Sequence, residues 1–264
     1  MPTVEILAVG NELLDGVTRD TNTHWLCQQI TRLGSRVERA ALVRDNPVAI
    51  AGEVAGACLR HVALLLVTGG LGPTADDLTL AAVAQAAGVP LVENPMARRM
   101  VADVYADLHR RGAVAFPELT PERLKMARLP GCATPIANPV GAAPAVVLHL
   151  RGTTIVCLPG VPSELKGIFT GPLQPVLAEA LGAGVALERE VVVALNDESA
   201  MAPALREVAS RHPEVYVKSH AHRFEGDEGI RVTFSARGAR PDAVSRLLDA
   251  AVADLRARLP LREP

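Results

Sequence analysis

Along the first two thirds of the chain, apolar runs alternate with segments in which apolar residues recur at helical spacing. Residues 62–67 are apolar throughout, which is typical of a strand buried on both faces of a sheet. Leu26, Ile30 and Leu33 follow one face of a helix that Gly34 ends. The pattern predicts, in order, strand 4–9, helix 20–33, strand 37–43, helix 47–59, strand 62–67 and helix 78–87. Three consecutive strand–helix units predict a three-layer α/β fold, with a doubly wound, mainly parallel sheet between helices.

The pattern changes after Gly171 and Pro172. Before that point it predicts a helix at 94–111, a short helix from 120, a β-hairpin of 146–150 with 154–158, and a helix capped by Ser163. Beyond it, the predicted elements are helix 173–181, a glycine linker at 182–184, strand 190–195, helix 197–211, strand 215–219, strand 230–236 and helix 241–259. This order indicates a small α+β domain. The predicted division is therefore 1–171, a connecting helix and linker at 172–184, and 185–264.

Composition narrows the class of protein. The chain has 264 residues, 49% of them hydrophobic, and a net charge of −2, so it is globular and presents no strong field to nucleic acid. Its four cysteines are far apart and form no zinc-type or disulfide-type pattern, which suits a reducing cytoplasm. No signal-type block begins the chain, and no apolar run approaches the roughly 20 residues of a membrane helix. A cytoplasmic protein without a membrane partner is expected.

The segment from Val67 to Asp77 carries the clearest chemistry. Gly69, Gly70 and Gly72 follow a buried strand, and glycines let the chain turn sharply while a ligand approaches its backbone. Exposed amides in such a turn favour phosphate, whereas the adjacent Asp76 and Asp77 would repel it. A divalent cation between the carboxylates and the phosphate reconciles the two features. The alternative is a glycine-rich turn in which the aspartates cap the following helix.

Other loops carry weaker signals. Glu12 lies in a glycine-bounded loop directly after the first strand, where α/β sheets usually place ligand groups. The helix start at Ser163 is a further candidate anion site, with Lys166 one turn inside. The glycine loop lacks the Gly-Lys-Ser/Thr ending of a P-loop, which disfavours an ordinary ATPase. His220 and His222 share one strand face, but no third ligand has a suitable spacing, so a metal site there is disfavoured.

Several of these blocks together resemble the competence/damage-inducible protein CinA family. They are Gly10–Leu14, Asn22-Thr23, Thr68–Thr74, Asp76–Thr79, Asn138–Gly141 and Leu158–Leu165, and they occur in family order across about residues 4–170. The resemblance is to the N-terminal molybdopterin-binding-like (MoCF) domain of that family. Residues 185–264 resemble, more weakly, the KH-like domain that follows it. The C-terminal amidase domain of many members is missing, so deamidase activity is not expected.

The resemblance implies a metal-dependent nucleotide pyrophosphatase whose usual substrate is ADP-ribose, with FAD as a relative's substrate. It makes Glu12, Asp76 and Asp77 the catalytic and metal-binding residues, with Glu12 as a ligand or a general base. It implies that substrate or phosphate is bound by Gly10, Asn22, Gly69, Gly70, Gly72, Thr74, Asn138, Gly141, Gly160, Ser163 and Glu164. The expected cofactor is a divalent cation (Mg²⁺, Co²⁺ or Mn²⁺), with potassium as a further candidate. The expected partners are a pyrophosphate-containing nucleotide and a second copy of the chain in a homodimer.

The sequence departs from the family at three positions. Ala75 replaces a lysine before the aspartate pair, and Ala142 and Ala145 replace the usual threonine and glycine of the loop after Gly141. These changes remove potential phosphate contacts. Because the resemblance also extends to cofactor-biosynthesis proteins that share this sheet domain, the second functional hypothesis is a non-catalytic or transferase-type binder of molybdopterin or its adenylylated form. The two hypotheses differ on whether AMP is released from ADP-ribose in the presence of metal.

The KH-like resemblance raises the question of nucleic-acid binding. A KH module clamps the nucleic-acid backbone with a GxxG loop between helices, and single strands need a basic groove. The nearest match, 226–229, is acidic and lies between two predicted strands, and residues 172–264 are slightly acidic as a whole. We therefore expect no nucleic-acid partner and interpret this region as a packing or dimerisation module.

Overall fold

A computed structural model describes residues 2–182, 184–220 and 229–262. The chain divides into two compact units, each described by itself below. The first unit comprises Met1–Ile30 and Arg36–Gly182, and the second unit comprises Thr31–Ser35 and Ala183–Pro264. In the part of the chain that the structure describes, no helix combines the length and the apolar character that crossing a bilayer demands.

The first unit is built on a six-stranded sheet. The strands, in chain order, are β1 (Thr3–Val9), β2 (Arg36–Val43), β3 (Leu64–Thr68), β4 (Leu91–Glu93), β5 (Arg128–Pro130), β6 (Thr134–Ile136), β7 (Ala145–Leu150) and β8 (Thr153–Leu158). The spatial order is β2-β1-β3-β8-β7-β6, with β4 and β5 forming a separate antiparallel pair. The first four strands of that order are parallel, β7 runs antiparallel to β8, and β6 runs antiparallel to β7 and therefore in the same direction as the first four. The predicted fold class, mixed α/β with a mainly parallel sheet, is confirmed.

Helices cover this sheet on both faces. They are α1 (Asn11–Leu14), α2 (Thr21–Arg32), α3 (Pro47–Leu59), α4 (Thr79–Ala87), α5 (Pro95–Arg110), α6 (Pro121–Lys125), α7 (Pro162–Thr170) and α8 (Gln174–Leu181). Every residue of β3 and β8 is buried. Leu65 and Val67 belong to one core cluster, while Leu64 and Leu66 are equally buried and point to the opposite face. Because both faces of β3 and β8 are covered, solvent and ligands reach these two strands only at their ends.

Two predicted helix starts differ in detail. Ser163 does not cap α7: the N-cap is Val161, without a side-chain hydrogen bond, since Pro162 takes the first helical position and places Ser163 inside the first turn. The aspartate pair does not cap α4 either, because its N-cap is Leu78. By contrast, Asp20 Oδ1 accepts from the backbone N–H of Thr23 at 2.9 Å, as its position before α2 predicted.

The second unit is a small α+β structure with one antiparallel sheet. Its elements are β9 (Val185–Val193), α9 (Glu198–Arg211), β10 (Val215–His220), β11 (Ile230–Gly238) and α10 (Pro241–Arg256). The strand order is β10-β11-β9, and the predicted order of strands and helices is confirmed. Phe234 and Val232 are fully buried in a cluster with residues of α9 and α10. The predicted GxxG match at 226–229 and His222 fall on 221–228, outside the described residues, apart from Gly229.

Candidate active site

A cleft of about 490 Å³ lies at the carboxyl ends of the parallel strands of the first unit. Four adjacent strands each contribute a loop or helix start to it. Glu12 follows β1, Asp45 follows β2, Asp76 and Asp77 follow β3, and Glu164 follows β8. Since the carboxyl ends of parallel strands meet at one edge of a sheet, residues far apart in sequence converge here. Glu12 and the Asp76–Asp77 pair therefore share one cleft.

The cleft lining has a strong charge bias. Its five charged side chains are all carboxylates, and no lysine, arginine or histidine is found among the described residues that line it. Glycine backbone from the loops after β1, β3 and β8 supplies much of the remaining polar surface. The apolar part of the lining includes Leu71, Tyr105, Met126 and Ala142. The cleft therefore combines an acidic edge with an apolar wall.

Gly69 allows the loop after β3 to pass close to β1. Its φ is +96°, and a Cβ there would lie 2.2 Å from the carbonyl oxygen of Val9. A residue with a side chain would be both strained and in collision with backbone, so only glycine fits. Gly72 is also constrained, since a Cβ there would lie 2.7 Å from Asp77 Oδ2. The loop backbone is therefore drawn tightly against the carboxylates that follow it.

Thr74 organises the aspartate pair. Its hydroxyl contacts Asp76 Oδ1 and lies 2.6 Å from Asp77 Oδ2, which also accepts the backbone N–H of Thr74 at 2.8 Å. A hydroxyl has one proton and can donate to only one of the two carboxylates at a time. The Thr74 hydroxyl alone therefore cannot hydrogen-bond to both carboxylates at once. Thr74 itself does not line the cleft; its contacts are to the aspartates.

The pKa of the Asp76 carboxyl is lowered from its ordinary value. The main cause is the hydrogen bond from the Thr74 hydroxyl, followed by the backbone amide of Asp76 and the positive charge of Lys125. Lys125, at the end of α6, donates from Nζ to the backbone carbonyl of Thr74. Asp76 therefore stays ionised as the pH falls below the range in which an isolated aspartate takes up a proton.

Glu164 is positioned by the loop between β6 and β7. Asn138 Nδ2 donates to Glu164 Oε2 at 2.6 Å and to the carbonyl oxygen of Ala143 at 2.9 Å. Asn138 Oδ1 accepts the backbone N–H groups of Val140 and Gly141. A Cβ at Gly141 would lie 2.2 Å from Glu164 Cδ. Asn138 and Gly141 thus support Glu164 from behind the cleft wall and have their polar groups engaged within the protein.

The predicted site residues fall into three groups. Gly10, Glu12, Gly69, Gly70, Gly72, Asp76, Asp77, Gly160 and Glu164 line the cleft. Asn22 lines a smaller adjoining pocket, while Thr74, Asn138, Gly141 and Ser163 lie outside both linings. Sequence reasoning missed Asp45, Tyr105 and Lys125. Asp45 follows a predicted strand and could have been found by the rule that pointed to Glu12, whereas the others belong to distant helices.

The acidic edge suits a cation that binds mainly through oxygen. Among the described residues, no group of three or more histidine, cysteine, aspartate or glutamate side chains is placed to hold one ion. Glu12, Asp76 and Asp77 thus share the cleft but not one ready-made coordination sphere. Mg²⁺ is usually bound by one or two carboxylates with substrate phosphates and waters. The Asp76–Asp77 pair fits that mode, and the metal role of Glu12 stays a prediction.

The fold and this strand-end cleft define a member of the molybdopterin-binding-domain class. A family model described as "probable molybdopterin binding domain" matches residues 5–179, and the chain belongs to that family.

Individual relatives extend over nearly the whole chain. A protein of Aeropyrum pernix is 43% identical over 252 residues, covering 93% of this chain and 91% of its own. A protein of Pyrobaculum calidifontis is 39% identical over 256 residues, covering 97% and 95%. The crystal structure of the protein CinA from Thermoplasma acidophilum, described as of unknown function, is 33% identical with a TM-score of 0.59. The match to that structure covers 66% of this chain and 98% of the other.

Proposed function

We propose that this protein is a divalent-metal-dependent hydrolase of the pyrophosphate bond of a nucleotide such as ADP-ribose. One observation carries the proposal: five carboxylates from four strand-end segments line a cleft whose other polar surface is largely glycine backbone. Backbone amides favour phosphate oxygens, and clustered carboxylates favour cations. A ligand that brings both a diphosphate and a bound metal ion satisfies both parts of the lining.

Electrostatics explains why the metal belongs to the proposal. Two like charges about 4 Å apart repel by about 4 kcal/mol at an effective dielectric constant of about 20. A bare diphosphate beside Asp76 and Asp77 would meet that repulsion from more than one carboxylate. With no basic side chain in the described lining, positive charge has to come from an ion. A divalent cation would neutralise phosphate charge and lower the pKa of a bound water.

The chain's own residues have separate tasks in the proposed reaction. Asp76 and Asp77 would hold the cation, and the Thr74 hydroxyl, which contacts both carboxylates, keeps them side by side. The glycine backbone orients the diphosphate. Glu12, on a different segment from the aspartate pair, accepts a proton from the attacking water as its oxygen bonds to one phosphorus. The bridging P–O bond then breaks, giving AMP and a sugar phosphate from ADP-ribose.

The test is release of AMP from ADP-ribose in the presence of Mg²⁺, Mn²⁺ or Co²⁺, followed by chromatography. Chelation with EDTA is expected to abolish release, and added metal to restore it. Asp76→Asn should lower kcat by about 10²–10³-fold, the range found for removal of one preorganised electrostatic group. The matched control is Asp103→Asn, an exposed aspartate of α5 outside the cleft lining. Full activity in Asp76→Asn, or metal-independent activity, would contradict the proposal.

The second candidate is a binder of molybdopterin or its adenylylated form. The description of the matching family model favours it, and the apolar wall around Tyr105 and Met126 suits a flat ring. This candidate predicts measurable pterin binding and no AMP from any dinucleotide with any of the three metals. A substrate panel that includes ADP-ribose, FAD and a pterin therefore distinguishes the two functions directly.

A further inference from the structure

Lys125 reaches the loop that carries Asp76 and Asp77 from another part of the first unit. It is the last residue of α6, 51 positions further along the chain than Thr74, whose backbone carbonyl accepts a hydrogen bond from Lys125 Nζ. The lysine is absent from the lining of the cleft, and the proposed reaction gives it no task. Its influence on the site passes through the backbone of the loop.

Thr74 is the residue on which the positions of both carboxylates depend. Its hydroxyl contacts Asp76 Oδ1 and Asp77 Oδ2, and its N–H donates to Asp77 Oδ2 at 2.8 Å. Its carbonyl, which Lys125 holds, also accepts the backbone N–H of Asp77 at 3.2 Å. Residues 74–76 are nevertheless exposed, so little burial holds this turn in place. An exposed turn of this kind opens locally at low cost unless a bond from elsewhere in the fold fixes it.

α6 is a firm base for such a bond, although it has only five residues. The Thr120 hydroxyl caps it by accepting the backbone N–H of Arg123 at 3.3 Å. The guanidinium carbon of Arg123 lies 3.9 Å from the ring centroid of Tyr105 and 4.8 Å from that of Phe116, and the guanidinium donates to two backbone carbonyls of the preceding loop. Met126, the C-cap, is buried in the core. Because α6 is fixed at both ends, it presents its terminal lysine to the loop from one direction.

A positive charge beside a cation site has an unfavourable electrostatic effect of its own, since like charges repel even near a protein surface. If Lys125 contributed only its charge, removing that charge should strengthen the binding of a divalent cation. If it holds the loop, removing it should weaken binding, because groups that orient metal ligands from behind commonly change metal affinity by about 10–100-fold. The two roles therefore differ in the sign of one measurable effect.

We infer that Lys125 is a positioning residue: by binding the Thr74 carbonyl, it fixes the loop in the conformation in which Asp76 and Asp77 lie side by side and can share a divalent cation. The inference rests on the proposed function for the identity of the ligand, a divalent cation, and not for the reaction. Lys125 touches neither the cation nor the substrate. Its effect on the site is conformational, and this effect outweighs the repulsion between its charge and the ion.

Two measurements without substrate test the inference. Mn²⁺ alone is titrated into the protein and followed by electron paramagnetic resonance, and hydrogen–deuterium exchange of the Thr74 and Asp77 amides is followed by NMR in the metal-free protein. Lys125→Met keeps a long side chain that favours a helix and removes the donor and the charge. It should weaken Mn²⁺ binding by about tenfold and speed the exchange of both amides by about tenfold.

Two further variants separate the tether from the charge. Lys125→Arg keeps a positively charged donor and should keep both properties close to those of the natural protein. Arg99→Met is the matched control, because it removes one positive charge from an exposed position of α5 outside the cleft lining. It should leave the amide exchange of the loop unchanged and should not weaken Mn²⁺ binding.

Unchanged or tighter Mn²⁺ binding in Lys125→Met would mean that the lysine contributes only charge, and would overturn the inference. Unchanged amide exchange would mean that the loop keeps its conformation without the lysine, and would overturn it as well, as would a natural protein that binds no Mn²⁺. If Mn²⁺ binding depends on Lys125 but no AMP is ever released from ADP-ribose, the proposed hydrolysis fails and the positioning role stands. If AMP is released but Mn²⁺ binding does not depend on Lys125, the reverse holds.

Discussion

The six-stranded sheet of the first unit and the three-stranded sheet of the second unit bury their strands differently. In the first unit, β3 and β8 are buried at every residue, because helices cover both faces of the sheet. In the second unit, β11 alternates between buried and accessible residues, because α9 and α10 pack on one face. On the accessible face of the described strands, Glu190 and Arg231 form an ion pair at 3.1 Å.

This difference determines where each unit can place polar chemistry. The fully buried strands β3 and β8 contain no charged residue, and the buried Glu5 of β1 is neutralised by Arg60, whereas the carboxylates of the cleft lie just beyond the strand ends. A sheet covered on one face distributes its polar residues along the strands, as β11 does. The same kinds of residue therefore yield a candidate catalytic cleft in one unit and a solvated surface in the other.

The largest expected effect is on the buried face of the second sheet. Phe234 is fully buried between β11 and the helices, so Phe234→Ala should lower the free energy of unfolding by about 3–5 kcal/mol. Urea denaturation followed by circular dichroism measures this loss. Ser235→Ala, the next residue and on the opposite face, is the control and should have little effect. A loss below about 1 kcal/mol for Phe234→Ala would mean that this face is not a packed core.

The next effect concerns the strand-end loop of the first unit. Gly69→Ala puts a Cβ on a residue with a left-handed backbone conformation and drives it against the Val9 carbonyl. The substitution should lower the free energy of unfolding by about 2–5 kcal/mol and abolish AMP release. Gly52→Ala is the matched control, since Gly52 lies in α3 with no heavy atom within 4 Å of the added Cβ. That control should be stabilising by about 0.5–1 kcal/mol. Similar outcomes for the two glycines would contradict the tight approach of the loop to β1.

A smaller effect is expected from Thr74→Val, which keeps the side-chain shape and removes the hydroxyl. The hydroxyl is the main cause of the lowered Asp76 pKa, so in the variant that pKa should rise towards its ordinary value. If activity needs ionised Asp76, then in a profile of activity against pH the fall on the acid side should begin at a higher pH in the variant than in the natural protein. At neutral pH, kcat should fall by about tenfold. Thr74→Ser should restore the natural pH profile, and an unchanged acid limb in Thr74→Val would contradict the role given to the hydroxyl.

Much of the first unit could be predicted because buried strands and glycine-bounded loops leave strong local patterns. The run at 62–67 and the glycines after it locate β3 and its loop, and the parallel arrangement then brings Glu12 to the same edge as Asp76 and Asp77. That convergence follows from topology. It needs no knowledge of side-chain positions.

Other features leave no recognisable pattern in the local sequence. The strands β4, β5 and β6 have three residues each, too few for an alternation to be visible, and Pro130 and Pro135 argue against strands. Tyr105 and Met126 join the cleft only because α5 and α6 pack beside it. Asn138 resembled a phosphate ligand, but its four hydrogen bonds stay within the protein, a fact that depends on the fold of the whole loop.

The smallest effect tests the accessible face of the second sheet. Tyr216 on β10 is 66% exposed and pairs with Ser235, so its ring contributes little buried area. Tyr216→Thr keeps a residue that favours strands, and the free energy of unfolding should change by less than about 0.5 kcal/mol. Urea denaturation measured beside Phe234→Ala compares the two faces of the same sheet. If Tyr216→Thr lowered the free energy of unfolding nearly as much as Phe234→Ala, this face would have to be covered in solution. The second sheet would then be covered on both faces like the first, and the contrast between the two sheets would fail.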